Sequence, residues 1–229
     1  MYGRLTLQTP IKHVNKGKNW RTIMLHYQAK QLTSKQAYKF LSGSIIPRPI
    51  AWVTTLNQKY NVINAAPFSF FNAVAAEIPL VTIAILRRDG KIKDTAQNIL
   101  TTQELVIQLV NEQVVSAMNQ TAASLAPDQS EVTINQLETT PSKTVKVPGI
   151  SSAPIRMEGK LHQYVPIKDH NEQVITDLFI IEITDFYFDE AVFDQEHEYI
   201  LPEKLDPIAR LAGNTYSHID HFFDLTRPQ

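Results

Sequence analysis

From Ser44 to Val74 the chain reads SIIPRPIAWVTTLNQKYNVINAAPFSFFNAV, a run dense in small side chains, hydroxyls, side-chain amides and aromatic rings. Ala65 and Ala66 would let a flat ligand approach the backbone. Thr54, Thr55, Asn64 and Ser69 offer hydrogen-bonding groups to its polar edges, and Trp52 and Phe70 offer apolar walls. This is suitable chemistry for a phosphorylated aromatic cofactor. Trp52 and Phe70 read equally as core residues of a half-buried strand, whereas polar groups on otherwise apolar strands need partners.

A second candidate is Lys93-Asp94-Thr95-Ala96-Gln97-Asn98, which opens a helix with Asp94 as N-cap and Gln97 at the reciprocal position. Ordinary capping explains the pattern. So does an anion site, in which the free amides of the helix start, Lys93 and the Thr95 hydroxyl hold a phosphate. Arg210 to Tyr216 (RLAGNTY) reads as a helix ended by Gly213, with Arg210 near its negative end. His170, in Lys168-Asp169-His170, is a catalytic candidate set against the reading of a solvent-exposed loop histidine. His218-Ile219-Asp220-His221 lacks a further clustered ligand, so a solvated segment is expected there and no metal.

The composition excludes other chemistries. No cysteine occurs, which removes disulfides, thiolate nucleophiles and thiolate-bound metal clusters. The seven glycines include no pair spaced for a dinucleotide-binding turn or P-loop. A nicotinamide nucleotide would therefore have to dock transiently against a site built around another cofactor. The net charge of −1 gives no field for nucleic acid. No apolar run is long enough to span a bilayer, and no secretory leader is visible, so a cytoplasmic protein is expected. No nucleophile-elbow sequence supports a serine hydrolase.

The elements that must position these residues are mostly strands. Ile50–Leu56, turn-forming Asn57–Tyr60 and an extended run over 61–72 predict a β-hairpin. Pro67 lacks an amide donor and marks a bulge or an edge. Further strands are expected at 80–86, 104–110, 155–165 and 174–188, with a short one at 143–147. Thr33-Ser34-Lys35-Gln36 resembles a capping box opening a short helix that Gly43 would end, and 112–125 has helical spacing. The pattern is mainly β with peripheral helices, and many strands with few helices imply a barrel. Residues 24–229 read as a single domain. Residues 1–23, basic and without a core pattern, read as a disordered extension, with Met24 as an alternative start because Trp20–Met24 allows a purine-rich ribosome-binding sequence upstream of an ATG.

The runs PRPIAWVTT (47–55), NAAPFSFFN (64–72), KDTAQN (93–98) and RLAGNTY (210–216), in this order, resemble the flavin reductase-like, FMN-binding split-barrel family, in the branch that includes flavoredoxin. The resemblance covers the chain from about Leu32 onward. It implies an FMN-binding split β-barrel and a homodimer with one FMN per subunit near the interface. It also implies that FMN is held by Pro49, Ile50, Ala51, Trp52, Thr54, Thr55, Asn64, Ala65, Ala66, Pro67, Ser69, Phe70, Lys93, Asp94, Thr95, Asn98, Arg210 and Tyr216. Ala212 replaces the family's more usual glycine, and Lys168 replaces the glycine of a Gly-Asp-His motif associated with reduced nicotinamide. The expected reaction is hydride transfer from NADH or NADPH, a transient donor, to FMN and onward to an acceptor that the sequence does not identify. A flavoredoxin-like electron carrier fed by a protein donor, or a flavin-binding module without turnover, are the alternatives.

Overall fold

The computed structural model describes residues 24–219 and 221–228. The expected extension 1–23, and Asp220 of the His218–His221 segment, lie outside the described residues. The chain forms two units, residues 1–37 and 38–229. In the described part of the first, a short 3-10 helix (Ala29–Gln31) precedes helix α1 (Ser34–Ser44), which crosses into the second unit. Thr33 and Gln36 form the reciprocal capping pair: the Gln36 N–H donates to Thr33 Oγ1 at 3.3 Å and the Thr33 N–H to Gln36 Oε1 at 2.9 Å. Gly43 does not end α1, which continues through Ser44.

The second unit is built on β1 (Ala51–Asn57), β2 (Val62–Phe68), β3 (Phe71–Ala75), β4 (Leu80–Leu86), helix α2 (Asp94–Thr102), β5 (Glu104–Leu109), α3 (Glu112–Gln120) and α4 (Glu131–Ile134). There follow β6 (Thr139–Thr140), β7 (Gly149–Ile150), the long β8 (Ile155–Lys168) and β9 (Val174–Phe188), β10 (Phe193–Asp194), β11 (Tyr199–Ile200), α5 (Pro202–Leu205), β12 (Ala209–Arg210) and β13 (Tyr216–Ser217). Seven strands make one antiparallel sheet in the order β2-β1-β5-β8-β9-β4-β3.

The edge strands β2 and β3 are joined only by Ser69 and Phe70. A link that short can connect opposite edges only if the sheet curls until they approach, which is a barrel split along one seam. The strand expected over 61–72 is divided for this reason, since the chain must leave one edge and start the other. Pro67 sits on edge strand β2, where its missing donor costs no ladder bond. The β1–β2 turn uses local chemistry: Asn57 Oδ1 accepts from the Lys59 N–H at 3.1 Å, and Asn61 takes φ 55.

β1 is buried on both faces. Ala51 and Val53 point into the barrel core with Ile83, Ile107, Phe179 and Ile181, and Ala96 and Ile99 of α2 join that core. Ile50 and Trp52 point outward under Val114 and Met118 of α3 and Val132 of α4. The Trp52 indole N–H donates to Thr121 Oγ1 at 2.9 Å. That threonine also closes α3, expected to reach 125, because its hydroxyl donates to the Met118 carbonyl at 2.7 Å.

Two further expectations are corrected. Residues 143–147 form bends rather than a strand, because the Lys143 and Thr144 N–H groups donate to the Glu158 carboxylate at 2.8 and 2.7 Å instead of to a ladder. Arg210 to Tyr216 is not a helix end. β12 and β13 pair there as a hairpin whose turn uses Gly213 at φ 59, a conformation that glycine adopts without strain.

Candidate functional site

A cleft of about 750 Å³ opens where the end of β2 meets the start of α2. Asn64, Ala66, Pro67 and Phe68 form one side, the segment from Arg88 through Thr95 another, and Thr121 to Leu125 with Pro127 and Glu131 the third. The N-cap of α2 is Lys93, not Asp94, and no side chain caps it. The first amides of a nine-residue helix therefore lack side-chain partners beside the cleft. Lys93 Nζ lies 5.6 Å from the Phe68 ring centroid. Burial lowers its pKa, and the Arg88 charge lowers it further. The Asp94 carboxyl is raised by burial.

Behind this wall runs a buried polar network. Asn64 Oδ1 accepts from Thr95 Oγ1 at 2.8 Å and from Thr55 Oγ1 at 3.2 Å. Asn98 Nδ2 donates to Thr55 Oγ1 at 3.1 Å. On its other side Asn64 Nδ2 donates to Glu131 Oε2 at 3.0 Å, and the Ala65 N–H joins the same oxygen at 3.1 Å. Burial raises the Glu131 pKa, and these donors partly offset it. A threonine hydroxyl carries one proton. That of Thr95 is engaged by Asn64, so an anion at the start of α2 would meet backbone N–H groups and Lys93 rather than a Thr95 donor.

The structure thus brings Asn64, Ala66, Pro67, Lys93, Asp94 and Thr95 to the cleft, with Thr55, Ala65 and Asn98 in the network behind it. The other residues named from the sequence lie outside its lining. Ile50, Ala51 and Trp52 are core, Pro49 is exposed, and the Thr54 hydroxyl donates to the Pro148 carbonyl at 2.8 Å. Ser69 accepts from Arg48 Nε at 3.3 Å, and Phe70 packs 6.4 Å from the Tyr38 ring. Arg210 lies over the Tyr216 ring at 4.4 Å, and Tyr216 Oη donates to Asn119 Oδ1 at 3.0 Å on α3.

His170 is exposed in the β8–β9 turn, away from the cleft lining. Asp169 Oδ1 organises that turn by accepting the Asn171 and Gln173 N–H groups. His218 is not merely solvated, because its ring nitrogens lie 2.9 Å from Asp206 and 3.3 Å from Glu112. Among the described residues no group of three or more His, Asp or Glu could hold a metal ion, and no helix is long and apolar enough to cross a membrane.

Sequence reasoning missed Arg88, Lys91 and Glu131. The first two flank an Asp89-Gly90 turn in which both residues have positive φ, and that dipeptide was the available signal. Glu131 carried none, since a carboxylate opening a short helix is ordinary.

The family described as "Flavin reductase like domain" matches residues 42–203. An uncharacterized Bacillus subtilis protein, YwrF, is 44% identical over 205 residues, covering 90% of this chain and 100% of that one. The crystal structure of nitrilotriacetate monooxygenase component B from Bacillus cereus is 38% identical with a TM-score of 0.85, covering 89% of this chain and 99% of the other. That of the Pseudomonas fluorescens 2-nitrobenzoate 2-nitroreductase NbaA is 32% identical with a TM-score of 0.79, covering 89% and 96%.

Proposed function

This chain belongs to the flavin reductase-like family, and from that membership we propose that it holds FMN in the β2–α2 cleft as an NAD(P)H-dependent oxidoreductase. The observation that carries the reading is the uncapped start of α2 beside Lys93, facing a wall of small residues at Ala66 and Pro67. Such a helix start suits a terminal phosphate, and small side chains at Ala66 and Pro67 beside the Phe68 ring suit a planar ligand. Bound there, FMN would supply the redox chemistry, taking a hydride from the reduced nicotinamide and passing electrons to an acceptor.

The tasks left to the chain are binding, orientation and charge. The amides of the first turn of α2 and Lys93 would hold the phosphate, and Arg88 and Lys91 would add positive potential along the same wall. The buried Asn64–Thr95–Thr55–Asn98 network keeps β2 and α2 in fixed relation, so the two sides of the cleft do not need to reorganise around the ligand. No side-chain acid or base is required for hydride transfer itself.

A homodimer is part of the proposal. Tyr38, Leu41, Ile45 and Ile46 are all at least 47% exposed along the second-unit part of α1 and just beyond it, a surface that a second copy would cover. Light scattering on the eluting protein tests this, and a monomer would refute it.

The deciding experiment is the visible spectrum of the purified protein, taken before and after added FMN and gel filtration, then anaerobically with NADH and with NADPH. Retained flavin bands that bleach with either nucleotide support the reading. Bands that persist with both would leave the chain an electron carrier fed by another protein or a flavin binder without turnover. No bands after added FMN would remove the cofactor.

A further inference from the structure

Glu131 makes contacts that the folding of a four-residue helix does not require. Its side chain reaches from the start of α4 to edge strand β2, in a residue only 5% exposed that also borders the cleft. One oxygen, Oε2, takes both the Asn64 Nδ2 donor and the Ala65 N–H, a backbone group that no neighbouring strand accepts.

The consequence is a defined direction for the Asn64 amide. With a carboxylate on its nitrogen side and the Thr95 and Thr55 hydroxyls on its oxygen side, a flipped amide would turn its oxygen against the carboxylate. It would also strand buried donors, which costs more than the hydrogen bonds contribute when made. Glu131 thus reaches through Asn64 to the first turn of α2. Asp94 opens that helix and adds a like charge, while the cations on the same cleft wall are Arg88, Lys91 and Lys93.

We propose that Glu131 is the positioning residue of the cleft: by fixing the Asn64 amide and the Ala65 N–H it sets the wall that receives the flavin. The proposal rests on the flavin reading above. It makes Glu131 necessary for affinity through its acceptor oxygen rather than through its charge.

The test measures FMN dissociation constants by flavin fluorescence for the wild type, Glu131→Gln, Glu131→Ala, Asn64→Ala and the Glu131→Ala/Asn64→Ala double variant, with thermal melts to establish folding. A glutamine can place its Oε1 where Glu131 Oε2 accepts both donors. Glu131→Gln is therefore expected to bind within about threefold of wild type, and Glu131→Ala to lose about tenfold or more. The double variant is expected to lose less than the product of the two single losses, because the Glu131 contact to Asn64 is shared by both while its contact to the Ala65 N–H is not.

Wild-type affinity in Glu131→Ala, additive losses in the double variant, or equal losses in Gln and Ala would each overturn the proposal. If Glu131→Ala fails to fold, Glu131→Asp replaces it. Aspartate keeps the charge and withdraws the acceptor, so positioning expects it to bind more weakly than Glu131→Gln, and the reverse order refutes positioning. A wild type that binds no FMN overturns the flavin reading together with this proposal. A wild type that binds while the series fails overturns the proposal alone.

Discussion

The Arg48 guanidinium donates to the Leu211 carbonyl at 2.8 Å, joining two segments 163 positions apart. Arg48 is 5% exposed. It also donates to the Ile45 carbonyl at 2.8 Å, to the Ser42 carbonyl and, through Nε, to Ser69 Oγ. These partners are carbonyl and hydroxyl oxygens. The charge therefore sits at the carbonyl end of α1, where the helix dipole favours a cation, and ties that end to the β2–β3 link and to the β12–β13 hairpin.

Arg48→Met should leave the buried Ser42 carbonyl and the half-buried Ile45 and Leu211 carbonyls without these donors and destabilise the fold by about 2 kcal/mol. Urea denaturation measures it. A change smaller than about 0.5 kcal/mol, the usual range for an uninvolved surface site, would mean that the clamp contributes nothing.

Lys93→Ala should discriminate between two flavins. If Lys93 meets the phosphate, the variant weakens FMN about tenfold at low salt and leaves riboflavin, which has no phosphate, unchanged. Titration calorimetry with both ligands checks this. Equal losses for the two would put the phosphate elsewhere.

Glu158 gives the fold an acid-sensitive point. Burial acts to raise its pKa, but the Tyr187 hydroxyl and the donors from Thr144 and Lys143 outweigh that and hold it down to about 2, from an ordinary 4.5. A folded pKa below the unfolded one means that the stabilisation is complete above 4.5 and is lost as pH falls toward about 2. It amounts to on the order of 2 kcal/mol at neutral pH. Denaturation midpoints from pH 7 down to pH 3 should fall in the wild type and flatten in Glu158→Gln, and parallel curves would count against the assignment.

Gly159 is held by packing. A Cβ there would lie 2.6 Å from Ile181 Cγ2 and 3.4 Å from the Glu182 carbonyl oxygen. Gly159→Ala should cost about 1–3 kcal/mol through overpacking between β8 and β9. A thermal melt unchanged from wild type would show that Ile181 moves aside freely.

Much of the architecture was legible because it follows from local pattern. Strand β1 was readable from IAWVTTL, the turn after it from Asn57–Tyr60, and the α1 capping box from Thr33 and Gln36. Pro67 announced an edge because a residue without an N–H fits poorly inside a ladder. Thr54, Thr55, Asn64 and Ser69 stood out because polar groups on otherwise apolar strands need partners, and Thr95 stood out through the helix opening at 93–98. The spellings around 47–72, 93–98 and 210–216 carried the family.

What the sequence alone did not determine was which partners those groups would find. Trp52, Thr54 and Asn64 look alike as candidates on a strand, yet the alternation of β1 sends Trp52 under α3, the Thr54 hydroxyl meets the Pro148 carbonyl, and Asn64 on β2 reaches the cleft. Only the curl of the sheet, which brings edges β2 and β3 together across Ser69 and Phe70, decides which face opens. Glu131 was silent for the same reason. Its role depends on contacts with Asn64 and Ala65, 67 and 66 positions away. Periodicity and capping are local forces and can be read along a chain, whereas a hydrogen bond between distant residues exists only once packing has fixed both ends.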